Sequence, residues 1–300
     1  MAVRTWEAGP FVDSLYFGEC PRWHDGRLWY SDFFADTVSS AGPAGDARVE
    51  VALADEPAGL GWLPDGRLLV VGRTTRTVIR VEPDGRQVVH ADLSALAGFH
   101  CNDMVVDGTG RAYVGHFGFD LDGFVAERGG AALYRAPGAP GAPRASLLWV
   151  DPDGSTGVAA PDVIFPNGAV INDDGSTLIL AETLARRLTA FDRAEDGTLS
   201  GRRVWAALEG GSPDGICLDD AGRVWVANAA AGECLLIAEG GEVVGRVKTS
   251  QNCYACMLGG PDRRTLYLMT APTGTAEVAR TAPKARIEQA TVNVPGAGRP

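Results

Sequence analysis

Short apolar runs separated by acidic turns recur along the chain. Each turn carries Gly or Ser, often a basic residue, and opens into a run of aliphatic and aromatic residues. The pattern reads "DGRLWYSDF" from Asp25, "DGRLLVVGR" from Asp65 and "DGTGRAYVGHF" from Asp107. It returns as "DDGSTLILAET" from Asp173, "DDAGRVWVANA" from Asp219 and "DRRTLYLMTA" from Asp262. Asp-Gly between apolar runs predicts a hairpin, because glycine enters the left-handed region without a Cβ clash. The six starts are 40, 42, 66, 46 and 43 residues apart. A period of about 40–45 residues is that of propeller blades, each a four-stranded sheet. The expected fold is therefore all-β: a single six-bladed β-propeller around a central channel, spanning the 300 residues and ordered over about 3–295. A β-sandwich would show turns more often and no long period.

The stretched interval predicts an insertion around 119–160, with a loop at the Pro/Gly/Ala tract "APGAPGAPR", 136–144. The C-terminal run at 287–294, or the N-terminal "VRTW", is expected to complete a blade and close the ring. Trp23, Trp62 and Trp225 lie in or near the repeats and are expected to pack blades.

Counting back five or six residues from each turn gives Glu19, Gly59, Asn102, Asn167, Asp214 and Cys256. Equivalent positions in successive blades lie on a circle about the axis, so these six residues should surround one end of the channel. Four of them carry side-chain oxygens. Two carboxylates and two amides suit Ca²⁺, with water completing the shell. Mg²⁺, Mn²⁺, Fe²⁺ and Zn²⁺ also accept such donors. A bound cation would offset the cost of placing the Glu19 carboxylate of "FGECPRW" in a narrow channel.

Composition narrows the class. A hydrophobic content of 45% supports a large core, and a net charge of −11 argues against a nucleic-acid partner. No stretch is long and apolar enough to span a membrane, and the opening "MAVRTWEAGP", which lacks a charged region followed by an apolar one, is not expected to act as a secretory signal. The six cysteines, spread through the chain, are expected to be reduced, as in a cytoplasmic protein. The pair Cys253 and Cys256 lacks the second pair or the histidines that a zinc site needs, so buried thiol packing is expected. There is no G-x-S-x-G elbow, G-x-G-x-x-G or Walker motif to support a serine hydrolase or a nucleotide enzyme.

The segments "GECPRW", "NDMVVDGTGRAYVG", "FPNGAVINDDGSTL", "AETLARRLTAFD", "SPDGICLDDAGRVWVA" and "CMLGGPDRRTLYLMTA" run in order through nearly the whole chain. As a set they resemble the SMP-30/gluconolactonase/regucalcin-like family. That resemblance implies a six-bladed propeller and one divalent metal held by Glu19, Asn167 and Asp214. It implies Asn102 beside the metal, contacting it or the substrate, and hydrolysis of lactones, often of sugar acids, with Asp214 as general base as well as ligand. Two departures bear on the substrate. His100 stands where sugar-lactone members often have arginine, and "HFGFDLDGF" follows "YVG". His100 and His116 are candidate substrate-binding residues, and 117–125 a candidate cavity wall. The expected partner is a small-molecule lactone, and the expected state a monomer or small homo-oligomer. The alternatives are a metal-dependent phosphotriesterase, a non-catalytic metal- or ligand-binding propeller, and a metal-free bond-forming propeller of the strictosidine-synthase type.

Overall fold

The computed structural model describes residues 3–128 and 144–298. Six antiparallel sheets stand around an axis, each beginning with an inner strand and stepping outward by hairpins. The inner strands are Gly18–His24, Pro57–Trp62, Cys101–Val106, Pro166–Ile171, Pro213–Leu218 and Asn252–Gly259. They define blades 1 to 6 in that order, and each inner strand packs against those of its two neighbours around the ring. Every repeated acidic turn joins the inner strand of its blade to the next one out. In blade 1 the turn has Asp25 at φ 48° and Gly26 at φ 73°, the doubly left-handed geometry of a tight hairpin. In the longer turns the aspartate accepts the backbone N–H two residues on, as in Asp107 to Thr109 at 2.8 Å and Asp219 to Ala221 at 3.0 Å.

Small residues let the inner strands crowd the axis. A Cβ on Gly215 would lie 2.5 Å from that of Ala255, and one on Gly168 would lie 2.6 Å from the Ile216 nitrogen. Further out, large rings fill the space between blades. Trp225, Tyr113 and Tyr267 are fully buried, Trp23 stacks on Tyr267 with centroids 5.8 Å apart, and Trp62 stacks on His24 at 3.9 Å. The tryptophans thus take the expected packing role.

The C-terminal run takes part in closing the ring, as expected, but a second N-terminal strand completes the blade beside it. The outermost strand of blade 6 is Gly9–Leu15, antiparallel to Ala285–Thr291, which is the third strand of that blade. The blade therefore joins both ends of the chain. The "VRTW" segment instead forms Arg4–Glu7, a fifth strand parallel to Val243–Lys248 at the outside of blade 5. The insertion ends earlier than the expected 119–160. Ala145–Val150 and Thr156–Val163 are the outer strands of blade 3, and among the described residues the added element is the helix Leu121–Arg128. The Pro/Gly/Ala tract, through residue 143, lies outside the described residues. Among the described residues no helix is long and apolar enough to cross a membrane.

Candidate active site

Each inner strand breaks register near its start. Cys101 pairs with His116, and the next paired residue is Met104. Pro166 and Ala169 bracket the same break in blade 4, as do Pro213 and Ile216 in blade 5. The freed residues turn a side chain off the sheet, as bulges do beside functional sites. Asn102, Asn167 and Asp214 occupy these breaks, whereas Glu19 is still paired with Ser31 and the break of blade 1 opens directly after it. All four line one cavity of about 650 Å³. In two further blades the ladder moves the counted position. Blade 2 presents Ala58 rather than Gly59, and blade 6 presents Tyr254 rather than Cys256. The inner strand of blade 6 is eight residues long where most have six, so a count back from its turn stops too deep. Tyr254 lines the cavity. Cys256 lies in the core, its Sγ 3.8 Å from that of Cys217.

The four donors are 6–8% exposed, and their surroundings are strongly charged. Burial raises the pKa of Glu19 well above the carboxylate range, and the charges of Asp214 and Asp103 raise it further. The Cys20 N–H at 2.9 Å and the Arg22 guanidinium oppose that rise. Burial likewise raises Asp214, with repulsion from Asp103 adding to it and a hydrogen bond from Asn167 opposing it. Asn167 also donates Nδ2 to Thr183 Oγ1 at 3.2 Å, and Thr183 in turn donates to the Pro213 carbonyl at 2.7 Å. Both donations use the amide nitrogen and leave the carbonyl oxygen as the donor that Asn167 can offer a cation.

Arg22 and Asp103 were not legible as site residues. They form a buried ion pair at 2.7 Å, and Arg22 also donates to the Met104 carbonyl. Three buried carboxyl groups, Glu19, Asp103 and Asp214, thus face one guanidinium. When all are ionised, two negative charges remain uncompensated, which matches a divalent cation. Among the described residues no group of three His, Cys, Asp or Glu is arranged to hold a metal. The donor set is therefore two carboxylates with two amides, the oxygen-rich kind that hard cations take. All six cysteines are free and buried.

The two histidines part company. His100 lines the cavity, stacked on Phe99 with centroids 4.1 Å apart. Burial and the nearby Arg73 lower its pKa, so it is neutral at neutral pH. His116 is 3% exposed and does not line the cavity. Its Nε2 faces Ser146, at 3.1 Å from the backbone nitrogen and 3.0 Å from Oγ, and burial lowers its pKa to about 4. The substrate contact expected of His116 is not what this geometry provides. Residues 117–125 contribute Phe117, Leu121, Asp122 and Val125 to the cavity.

The molecule is thus a six-bladed propeller with a buried cluster of oxygen donors at one end of its axis. The SMP-30/gluconolactonase/LRE-like region matches residues 17–272, and the chain belongs to that family. It is 28% identical over 271 residues to a pentonolactonase of Haloferax volcanii, covering 86% of this chain and 82% of that one. It is 26% identical over 291 residues to a 6-deoxy-6-sulfogluconolactonase of Pseudomonas putida, covering 94% of each. Its fold is similar to that of regucalcin, a calcium-binding protein, from Agrobacterium tumefaciens. There the TM-score is 0.76 at 19% identity, over 99% of this chain and 98% of the other.

Proposed function

We propose that the chain is a divalent-cation-dependent lactonase. The observation that carries this reading is the buried pair of carboxyl groups, Glu19 and Asp214, flanked by two amides at the end of a substrate-sized cavity. The lactonases among its relatives supply the reaction. Glu19, Asn167 and Asp214 would hold the ion, with Ca²⁺ the first choice and Zn²⁺, Mn²⁺, Mg²⁺ or Fe²⁺ alternatives. Such an ion supplies Lewis acidity toward the ester carbonyl and toward water.

The chain's own groups do the rest. Asp214 accepts the proton of the attacking water, and burial, which raises its pKa, makes it a stronger base than an exposed aspartate. Asn102 and the neutral His100 orient the lactone from the cavity side. Arg22, held by Asp103, limits the repulsion among the acids when the ion is absent. The partner is a small lactone. A cytoplasmic setting accords with six unpaired thiols.

A panel of lactones and phosphotriesters, assayed with the calcium-loaded chain, tests the reading. Turnover of at least one lactone class is expected. Cleavage of phosphotriesters with no lactone turned over would replace this reading with the phosphotriesterase one.

A further inference from the structure

The donors occupy one end of the cavity, and the wall above them is aromatic. Phe17, Phe33 and Phe34 come from blade 1 and pack with Tyr254 of blade 6; Phe17 and Tyr254 have centroids 4.9 Å apart. A second group comes from blades 3 and 4. Phe117 and Phe165 stack with centroids 4.6 Å apart and planes 19° from parallel. By ring order blade 1 lies opposite blade 4 and blade 6 opposite blade 3, while blades 1 and 3, which carry Phe33 and Phe117, both flank blade 2.

Three features hold these rings in place. The Arg73 guanidinium stands over both groups, 5.5 Å from the Phe33 ring and 5.2 Å from the Phe117 ring. Glu56 pairs with Arg73 and also with Arg280, whose guanidinium lies 4.5 Å from the Phe34 ring. Phe165 has φ 53°, a conformation that bulky residues rarely adopt. Neighbouring bonds enforce it: Thr183 N–H donates to the Phe165 carbonyl at 3.1 Å, and Ile164 N–H donates to the buried Glu182 at 2.7 Å. Strain of this kind persists where the surroundings over-determine it, often at ligand clamps.

We infer that this wall selects lactones bearing a flat apolar substituent, of the aryl-lactone class, over polyhydroxylated sugar lactones. The inference takes the reaction from the lactonase reading and adds the substrate class. A sugar lactone carries several hydroxyls, and each one buried without a partner loses roughly tenfold or more in affinity. Besides the four donors and Tyr254, the polar side chains lining the cavity are Arg73, His100, Asp122, Thr183, Thr273, Thr275 and Glu277; of these, Arg73 already bonds Glu56, Thr183 the Pro213 carbonyl and Thr273 its neighbour Thr275. A planar ring meets a cavity wall of aromatic side chains already fixed in position, so little ordering cost opposes its binding.

The test uses γ-butyrolactone, its γ-phenyl derivative and the diol erythronolactone, all opened at the same ester. With the calcium-loaded chain, kcat/KM should be about tenfold higher for the phenyl lactone than for the parent, mainly through KM. Erythronolactone should fall at or below the parent. Erythronolactone outperforming the phenyl lactone would overturn the inference. Phe33→Leu and Phe117→Leu keep apolar bulk and remove a flat face, and each should cut the phenyl-to-parent ratio several-fold. An unchanged ratio in both variants would also overturn it. Calorimetric binding of the matching lactams, to calcium-loaded and metal-free chain, separates this inference from the reaction. Tighter binding of the phenyl lactam supports it even if no lactone is hydrolysed, an outcome in which only the lactonase reading fails. Equal or tighter binding of the dihydroxy lactam contradicts it.

Discussion

The two ends of the cavity are built on opposite principles. At the axis, Glu19, Asn102, Asn167 and Asp214 gather charge and amide oxygen where little water can reach. On the wall of the same cavity, Phe33, Phe117 and Phe165 present rings that carry no charge. On the proposed reading, an ion held by the first region would polarise the ester, which is common to all lactones. The second can tell one lactone from another, because it meets the part of the substrate that varies. Reaction and selectivity should therefore respond to different substitutions.

The sharpest break between the regions should come at Asp214. Asp214→Asn keeps an oxygen near the ion and removes the proton acceptor. Stopped assays should show kcat lowered by roughly 10²-fold or more, the usual scale for a general base, with the ranking of lactones retained. A comparable kcat would leave Asp214 a ligand only.

Glu19→Gln should act on the ion first. Titration calorimetry should find divalent-ion affinity at least about tenfold weaker. At saturating metal the folded state should lose about 1.4 kcal/mol of linked stability for each tenfold, read as a lower Tm. Unchanged affinity would remove Glu19 from the ligand set.

Acidity should mimic that variant gradually. Burial raises the pKa of both Glu19 and Asp214, so their protonated forms persist to higher pH than in ordinary carboxylates. Protons therefore compete with the ion from above the usual carboxylate range. Metal affinity should already be falling as pH drops toward that range, and it should recover as pH rises past the raised values. In the metal-free chain the sign reverses. Raised pKa values mean that the folded state binds protons more tightly, so stability should decrease as pH rises through them. Thermal melts with and without calcium across pH would show the two trends crossing.

The smallest effects should separate the histidines. His100→Ala, in the wall, should change KM or lactone preference several-fold with bound metal intact. His116→Gln should leave KM and preference within about twofold and cost about 1–2 kcal/mol of stability, since its partner is Ser146 rather than the cavity. A large KM change at His116 would mean that the blade 3 sheet transmits its effect to the cavity.

The axial donors could be read from sequence because the repeat repeats them. Asn102 and Asp214 each precede a turn by the same short stretch of inner strand, and a chemical pattern at fixed register survives any change in the rest of the blade. Where the register slipped, the reading slipped with it, as at Cys256. The wall had no such carrier. Phe33 and Phe117 each directly follow the second strand of their blade, but Arg73, Thr183 and Ala229 hold that place in other blades, so no residue type recurs to mark it; Phe165, just before an inner strand, is matched by Phe17 in blade 1 but by His100 in blade 3. Arg22 and Asp103 lie 81 positions apart, and only closure of the ring brings them together. The closing strand Gly9–Leu15 was equally hidden, because its partner lies at the other end of the chain.

On the proposed function, the axial oxygens hold an ion without which the ester does not open. The direct measurement is to strip the chain with a chelator, verify removal by elemental analysis, and titrate calcium back while following hydrolysis of γ-butyrolactone and its γ-phenyl derivative. Turnover should be absent without metal and rise to a plateau at one ion per chain. Full turnover by a chain shown to be metal-free would contradict it.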